Sequence, residues 1–216
     1  HCTPSPPPSL PPPLTAHHCT PSPPVQLPMA SSNAVKRILS ELRELQTDTT
    51  PAALRLFSAA PVDDDLFEWH FSARGPPGSA FAGGIYHGRI LLPAEYPLQA
   101  PEIILLTPNG RFEVGTRVCL SITSHHQETW QPSWGIRTMV TALIGFFPSK
   151  AEGIGSLNYP DPERRSLATK SLTFTCPICH TKPAEDLPPP PPDAASPAPT
   201  PPSDPTNPAD TATRAD

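Results

Sequence analysis

The residues with chemical potential fall in two places. Cys119, in Val118-Cys119-Leu120, stands ten residues after Asn109 of Pro108-Asn109-Gly110. A thiol can accept an acyl group and give it up again, because a thioester stores carbonyl activation and a thiolate leaves easily. The competing reading of a lone core cysteine is a small apolar filler, and cysteine proteolysis would further need a histidine base and an oxyanion hole. Ser121, His125 and His126 follow in the same loop as accessory candidates. The histidines could deprotonate an incoming amine or hydroxyl near neutral pH, or simply be solvated, since spacing fixes no distance to Cys119. The Asn109 amide can donate two hydrogen bonds, and Pro-Asn-Gly is equally a good turn. Farther on, Cys176, Cys179 and His180 form CPICH, the spacing of half a zinc knuckle. Tetrahedral zinc wants four ligands. The tail beyond His180 offers neither Cys nor His, so the expectation is no metal, with these three as its candidate ligands.

Proline locates the element that must position these groups. Of 36 prolines in 216 residues, 11 lie in residues 1–28 and 12 in 183–216, which leaves one ordinary domain between. A domain of that length buries enough surface to be stable without disulfides or a structural metal. Residues 1–28 carry no charged side chain, and HCTPSPP at 1–7 recurs at 18–24. That stretch reads as a low-complexity disordered leader, with Met29 as a natural start. The expected division is a catalytic domain over 29–172, a short CxxCH segment over 173–182, and a disordered Pro-rich tail over 183–216, coil or polyproline II. Net charge is −5 and the isoelectric point near 5.9, against the basic face of a nucleic-acid binder. Five scattered cysteines are no disulfide framework, and only Cys119 is expected within the core. The longest apolar run, Ala142 to Phe147, is far short of the roughly 18 residues of a membrane span.

Periodicity supplies the elements. Val35, Ile38, Leu39, Leu42 and Leu45 make 33–46 an amphipathic helix capped by Asn33. Phe67, Trp69 and Phe71 alternate with Glu68, His70 and Ser72, as in a half-buried strand. Further strands are expected at 85–92 and 102–106. Helical spacing returns at Ile136, Met139, Val140, Leu143, Ile144 and Phe147, and Asp161-Pro162 is read as N-cap and first helical residue of a last helix to about Ser171. Helices around an antiparallel meander make the class α+β.

Five pieces in a fixed order carry a resemblance: the helix VKRILSEL, the GGIY turn, the YPLQAP loop, Pro-Asn before Cys-Leu, and Trp-x-Pro. From about Ala34 to Ser171 the chain resembles the ubiquitin-conjugating enzyme family. Thr107-Pro108-Asn109, where most members have HPN, and the long spacings around Cys119 resemble its J type, tail-anchored in the endoplasmic reticulum. The resemblance implies an N-terminal helix, a four-stranded meander, a cysteine loop and C-terminal helices. It implies Cys119 as the thioester residue and Asn109 as the group that stabilises the oxyanion or braces its loop. It assigns Pro97, Leu98, Pro132 and Ser133 to a RING-type ligase, and Lys36 and Arg37 to the activating enzyme. Leu98 stands where Phe is common. No cofactor is implied beyond ubiquitin as covalent acyl donor, and membrane contact only through an anchor expected downstream of Asp216. The alternatives are a ubiquitin-binding variant without catalysis and a Pro-rich adaptor.

Overall fold

The structure, a computed structural model, describes residues 32–51, 54–63, 65–124, 127–151 and 153–188. The leader, His125, His126 and the stretch from 189 onward lie outside these. The described elements run α1 (Ser32–Gln46), β1 (Phe57–Val62), β2 (Asp65–Arg74), β3 (Ile85–Leu91), β4 (Glu102–Leu105), α2 (Ile136–Phe146), α3 (Asp161–Ser171) and a helical turn, α4 (Pro183–Asp186). The four strands form one antiparallel sheet in the order β1-β2-β3-β4, the α+β arrangement expected. Among the described residues no helix is long and apolar enough to cross a membrane.

Strand alternation sorts the sheet into two faces. Trp69, Phe71 and Ala73 of β2 pair with Ile90, Gly88 and Tyr86 of β3. The side chains of all but Gly88 join Met139, Val140, Leu143 and Ile144 of α2 in the core. Gly88 is required there, since a Cβ would lie 2.6 Å from the Phe71 ring. Truncating an aromatic as buried as Trp69 costs about 3–5 kcal/mol.

The other face departs from the half-buried strand expected. His70 and Ser72 are buried, because residues 172–188 return across them. Ser171 Oγ accepts a hydrogen bond from Ile85 N (2.9 Å) and donates to Ala168 O (2.6 Å), seating the end of α3 against β3. Leu187 is fully buried, α4 packs on β3, and Arg74 donates to Pro188 O at 2.7 Å. Ordered structure thus runs beyond the boundary expected at 182: Pro183 begins a helical turn because the sheet buries its side chain and that of Leu187. Cys176, outside the domain expected, is buried with it, while Cys119 is half-buried.

Two helix starts also shift. Asn33 lies inside α1, which begins at Ser32, and does not cap it. Pro160 is the N-cap of α3, while Asp161 sits in the first turn, 3.7 Å from Arg164, where its charge suits the helix dipole. At the head of α2 the cap comes from elsewhere in the chain. Buried Glu41 of α1 accepts from Ile136 N at 2.8 Å and from Tyr96 Oη at 2.7 Å, so a carboxylate sits at a helix N-terminus.

Candidate active site

Cys119 is carried by a return segment that pairs with β4. Arg117 bridges Ile104, Gly115 N donates to Leu105 O at 2.9 Å, and Val118 N donates to Ile103 O at 2.8 Å. Val118 and Leu120 point into the core, and Cys119 between them stays half-buried. Thr123, fully buried, holds the bend that follows: its hydroxyl lies 2.9 Å from Val118 O and from Leu120 O, and Leu120 N donates to it at 3.1 Å. The apolar neighbours fix the backbone and leave Cys119 between them half-buried.

Asn109 is 1% exposed and its amide is occupied by its own loop. Nδ2 donates to Thr107 O at 2.9 Å, and Oδ1 accepts from Arg111 N (2.9 Å) and Phe112 N (2.7 Å). Of the two roles implied for it, this geometry describes the brace. Thr107 extends the brace to the sheet, because its Oγ1 accepts from His87 N at 2.9 Å.

Arg111 and Gly153 had not been singled out in the sequence. Arg111, 1% exposed, lies 4.5 Å over the Phe112 ring and donates to Ser156 Oγ (3.1 Å) and Lys150 O (3.0 Å). Backbone hydrogen bonds from Glu113 N to Gly155 O and from Leu157 N to Arg111 O, each 2.8 Å, close the same seam. The seam lays Gly153 beside the cysteine. A Cβ on Gly153, whose φ is +85°, would stand 3.7 Å from Cys119 Sγ. The only sequence signal was Gly153-x-Gly155, two glycines at positive φ. Gly153→Ala is expected to cost about 1–2 kcal/mol from left-handed backbone alone, leaving the sulfur reachable. Gly153→Val, whose branches extend over the sulfur, should slow reaction of the Cys119 thiol with an alkylating reagent several-fold more than Gly153→Ala does, measured as labelling rates beside thermal melts.

The other sequence candidates form two groups. Trp130 Nε1 donates to Pro97 O at 2.8 Å, and Gln127 Nε2 to Leu98 O at 3.0 Å. These bonds bring the Pro97-Leu98 loop against the segment leading to Pro132-Ser133. Leu98 is 69% exposed, and Pro132 and Ser133 are exposed as well. Arg37 of α1 joins this patch, donating to Ser133 O (3.3 Å) and Trp134 O (3.1 Å) while pairing with Glu41. Lys36 is exposed. Ser121 is exposed in the Cys119 loop, and its carbonyl accepts from Thr129 Oγ1.

A meander backed by α2, with a half-exposed cysteine on a braced loop after its last strand, is the architecture of the ubiquitin-conjugating enzymes, and the chain belongs to that family: its model matches residues 37–157. The chain is 59% identical over 149 residues to ubiquitin-conjugating enzyme E2 J1 of Homo sapiens, covering 68% of this chain and 45% of that protein. It is 52% identical over 139 residues to ubiquitin-conjugating enzyme E2 32 of Arabidopsis thaliana (64% and 44%). To ubiquitin-conjugating enzyme E2 J2 of Bos taurus it is 38% identical over 145 residues (67% and 54%). The chain therefore spans about half the length of the curated relatives it matches.

Proposed function

We propose that this chain accepts ubiquitin from an activating enzyme as a thioester on Cys119 and transfers it, with a RING-type ligase, to lysine or hydroxyl groups of substrates. The observation that carries the reading is a half-buried Cys119 held between two side chains buried in the core, within a family whose members are named for this conjugation. In the loading step the Cys119 thiolate attacks the carbonyl carbon of ubiquitin's activated C-terminus. A new C–S bond forms and the old one breaks, releasing the activating enzyme's thiolate. In the transfer step a substrate amine attacks the same carbon, loses its proton to solvent or a nearby base, and expels the Cys119 thiolate. The loop carrying the thioester must hold still while negative charge develops on the carbonyl oxygen. Asn109, Thr107 and Arg111 supply that rigidity, which is the preorganisation such steps need.

Leu98, Pro132 and Ser133 form the ligase-facing patch in this reading, and Lys36 faces the activating enzyme. The setting is the cytosolic face of the endoplasmic reticulum and the degradation of proteins handled there, supported by the likeness to the J-type relatives. A non-catalytic ubiquitin binder has Cys119 against it. The test is to incubate the chain with ATP, activating enzyme and ubiquitin. One ubiquitin should be added in a thiol-sensitive linkage that maps to Cys119. An adduct that survives reducing agent, or that maps to another cysteine, overturns the reading.

A further inference from the structure

Residues 172–188 bring the CPICH cysteines onto the sheet face opposite α2, where β2 and β3 present two buried histidines. The ligand pair missing from the tail is thus supplied by the sheet. We propose that this face holds a zinc ion between His70 Nδ1, His87 Nε2 and the sulfurs of Cys176 and Cys179, fastening the C-terminal segment to the sheet.

The four donor atoms all lie within 4.8 Å of one another. His70 Nδ1 and His87 Nε2 are 3.0 Å apart, Cys176 Sγ is 3.7 Å from His70 Nδ1, and Cys179 Sγ is 3.4 Å from His87 Nε2. A zinc tetrahedron with nitrogen at about 2.0–2.1 Å and sulfur at about 2.3 Å has edges of roughly 3.3–3.8 Å, so little movement seats the ion. Two nitrogens and two sulfurs select zinc over magnesium or calcium, which take oxygen. Binding displaces one proton from each thiol. Two thiolates and two neutral imidazoles then leave the occupied site without net charge, which suits its burial.

The surroundings orient these donors. The second nitrogen of His87, Nδ1, lies 3.1 Å from Ser72 Oγ. His70 Nε2 faces Glu68 Oε1 at 3.5 Å, and Glu68 is itself held by Arg89 at 3.0 Å. A carboxylate or hydroxyl behind a ligating imidazole fixes its ring and tautomer. The cysteine turn is closed by hydrogen bonds from His180 N to Cys176 O (3.0 Å) and from Cys176 N to Thr181 O (2.9 Å). His180 itself, at φ 58°, is exposed outside the donor set, so the third residue of the sequence candidate gives way to the histidine pair. A cleft lined by Ser58, Ser72, Thr181 and Asp186 opens onto His70, His87 and Cys179 and gives an ion a way in.

The test uses the whole chain, expressed with added zinc and purified without chelator. Elemental analysis and native mass spectrometry should give one zinc per chain. Exchange for cobalt should give the intense visible bands of a tetrahedral ion together with thiolate charge transfer in the near ultraviolet. Stripping the metal should lower the thermal midpoint by roughly 10 °C. Cys179→Ser, half-buried at the rim and the variant better able to fold, should lose the zinc, as should Cys176→Ser. His180→Ala and Cys119→Ser should keep it. A natively folded chain that takes up no zinc on reconstitution would show a hydrogen-bonded cluster instead and overturn the proposal. So would stoichiometric zinc in Cys179→Ser, or a cobalt spectrum lacking thiolate charge transfer, which marks an adventitious ion only.

Discussion

Cys119→Ala is expected to form no adduct with ubiquitin in the presence of ATP and activating enzyme, and Cys119→Ser to form at most an ester that reducing agent leaves intact. The first substitution removes the one cysteine of the loop, and with it the sulfur needed to exchange one thioester for another. The second keeps a nucleophile but makes the bond an oxygen ester, which has lost the leaving group that makes transfer easy. Both variants should melt within about 1 kcal/mol of the parent, because a half-exposed side chain flanked by Val118 and Leu120 contributes little to packing. A thiol-sensitive adduct on Cys119→Ala equal to that of the parent would place the chemistry on another residue.

Asn109→Ala should lose both stability and transfer. Its Oδ1 accepts two buried backbone N–H groups, and orphaning each costs about 1–3 kcal/mol. A total near 3 kcal/mol lowers the thermal midpoint by roughly 10 °C. Below that midpoint, loading should stay near the parent rate while discharge onto free lysine falls about tenfold, since a loosened loop harms most the step in which charge develops. Asn109→Asp keeps the acceptor for both N–H groups but loses the donor to Thr107 O, so it should recover part of the discharge together with part of the stability. Were the side chain itself the oxyanion donor, discharge would fall by about 10²–10³ at the same loss of midpoint, and Asp would restore none of it.

How much of this was legible in sequence depends on the range of the interaction. The face of β2 that packs on α2, and α2 itself, followed from spacing alone, because Phe67, Trp69 and Phe71 and then Ile136 to Phe147 repeat with the period of their own element. β1 gave no such signal. Its sequence FSAAPV contains two alanines and a proline, tolerable on an edge strand paired on one side only. The ordinary family pieces led to Cys119 and Asn109, but the parts that steady the loop did not stand out. Arg111 looks like any surface arginine until its partners 38 to 45 residues away are seen. The polar face of β2 misled most. Alternation signals that His70 and Ser72 share a side but not what lies over it, and the cover is contributed by residues about 100 positions downstream.

That cover also fixes where this domain can be cut. A fragment ending at Ser171 would retain the sheet, the cysteine loop and all three long helices, and would look complete by every motif of the family. It would nevertheless bare one side of β2 and β3, strip His70 and His87 of their sulfur neighbours, and release Arg74 from Pro188. The folded unit therefore runs at least to Pro188. The residues after α3 belong to the fold, carrying the last of its described elements, and any graft, fusion or truncation that treats them as linker divides the domain instead of bordering it.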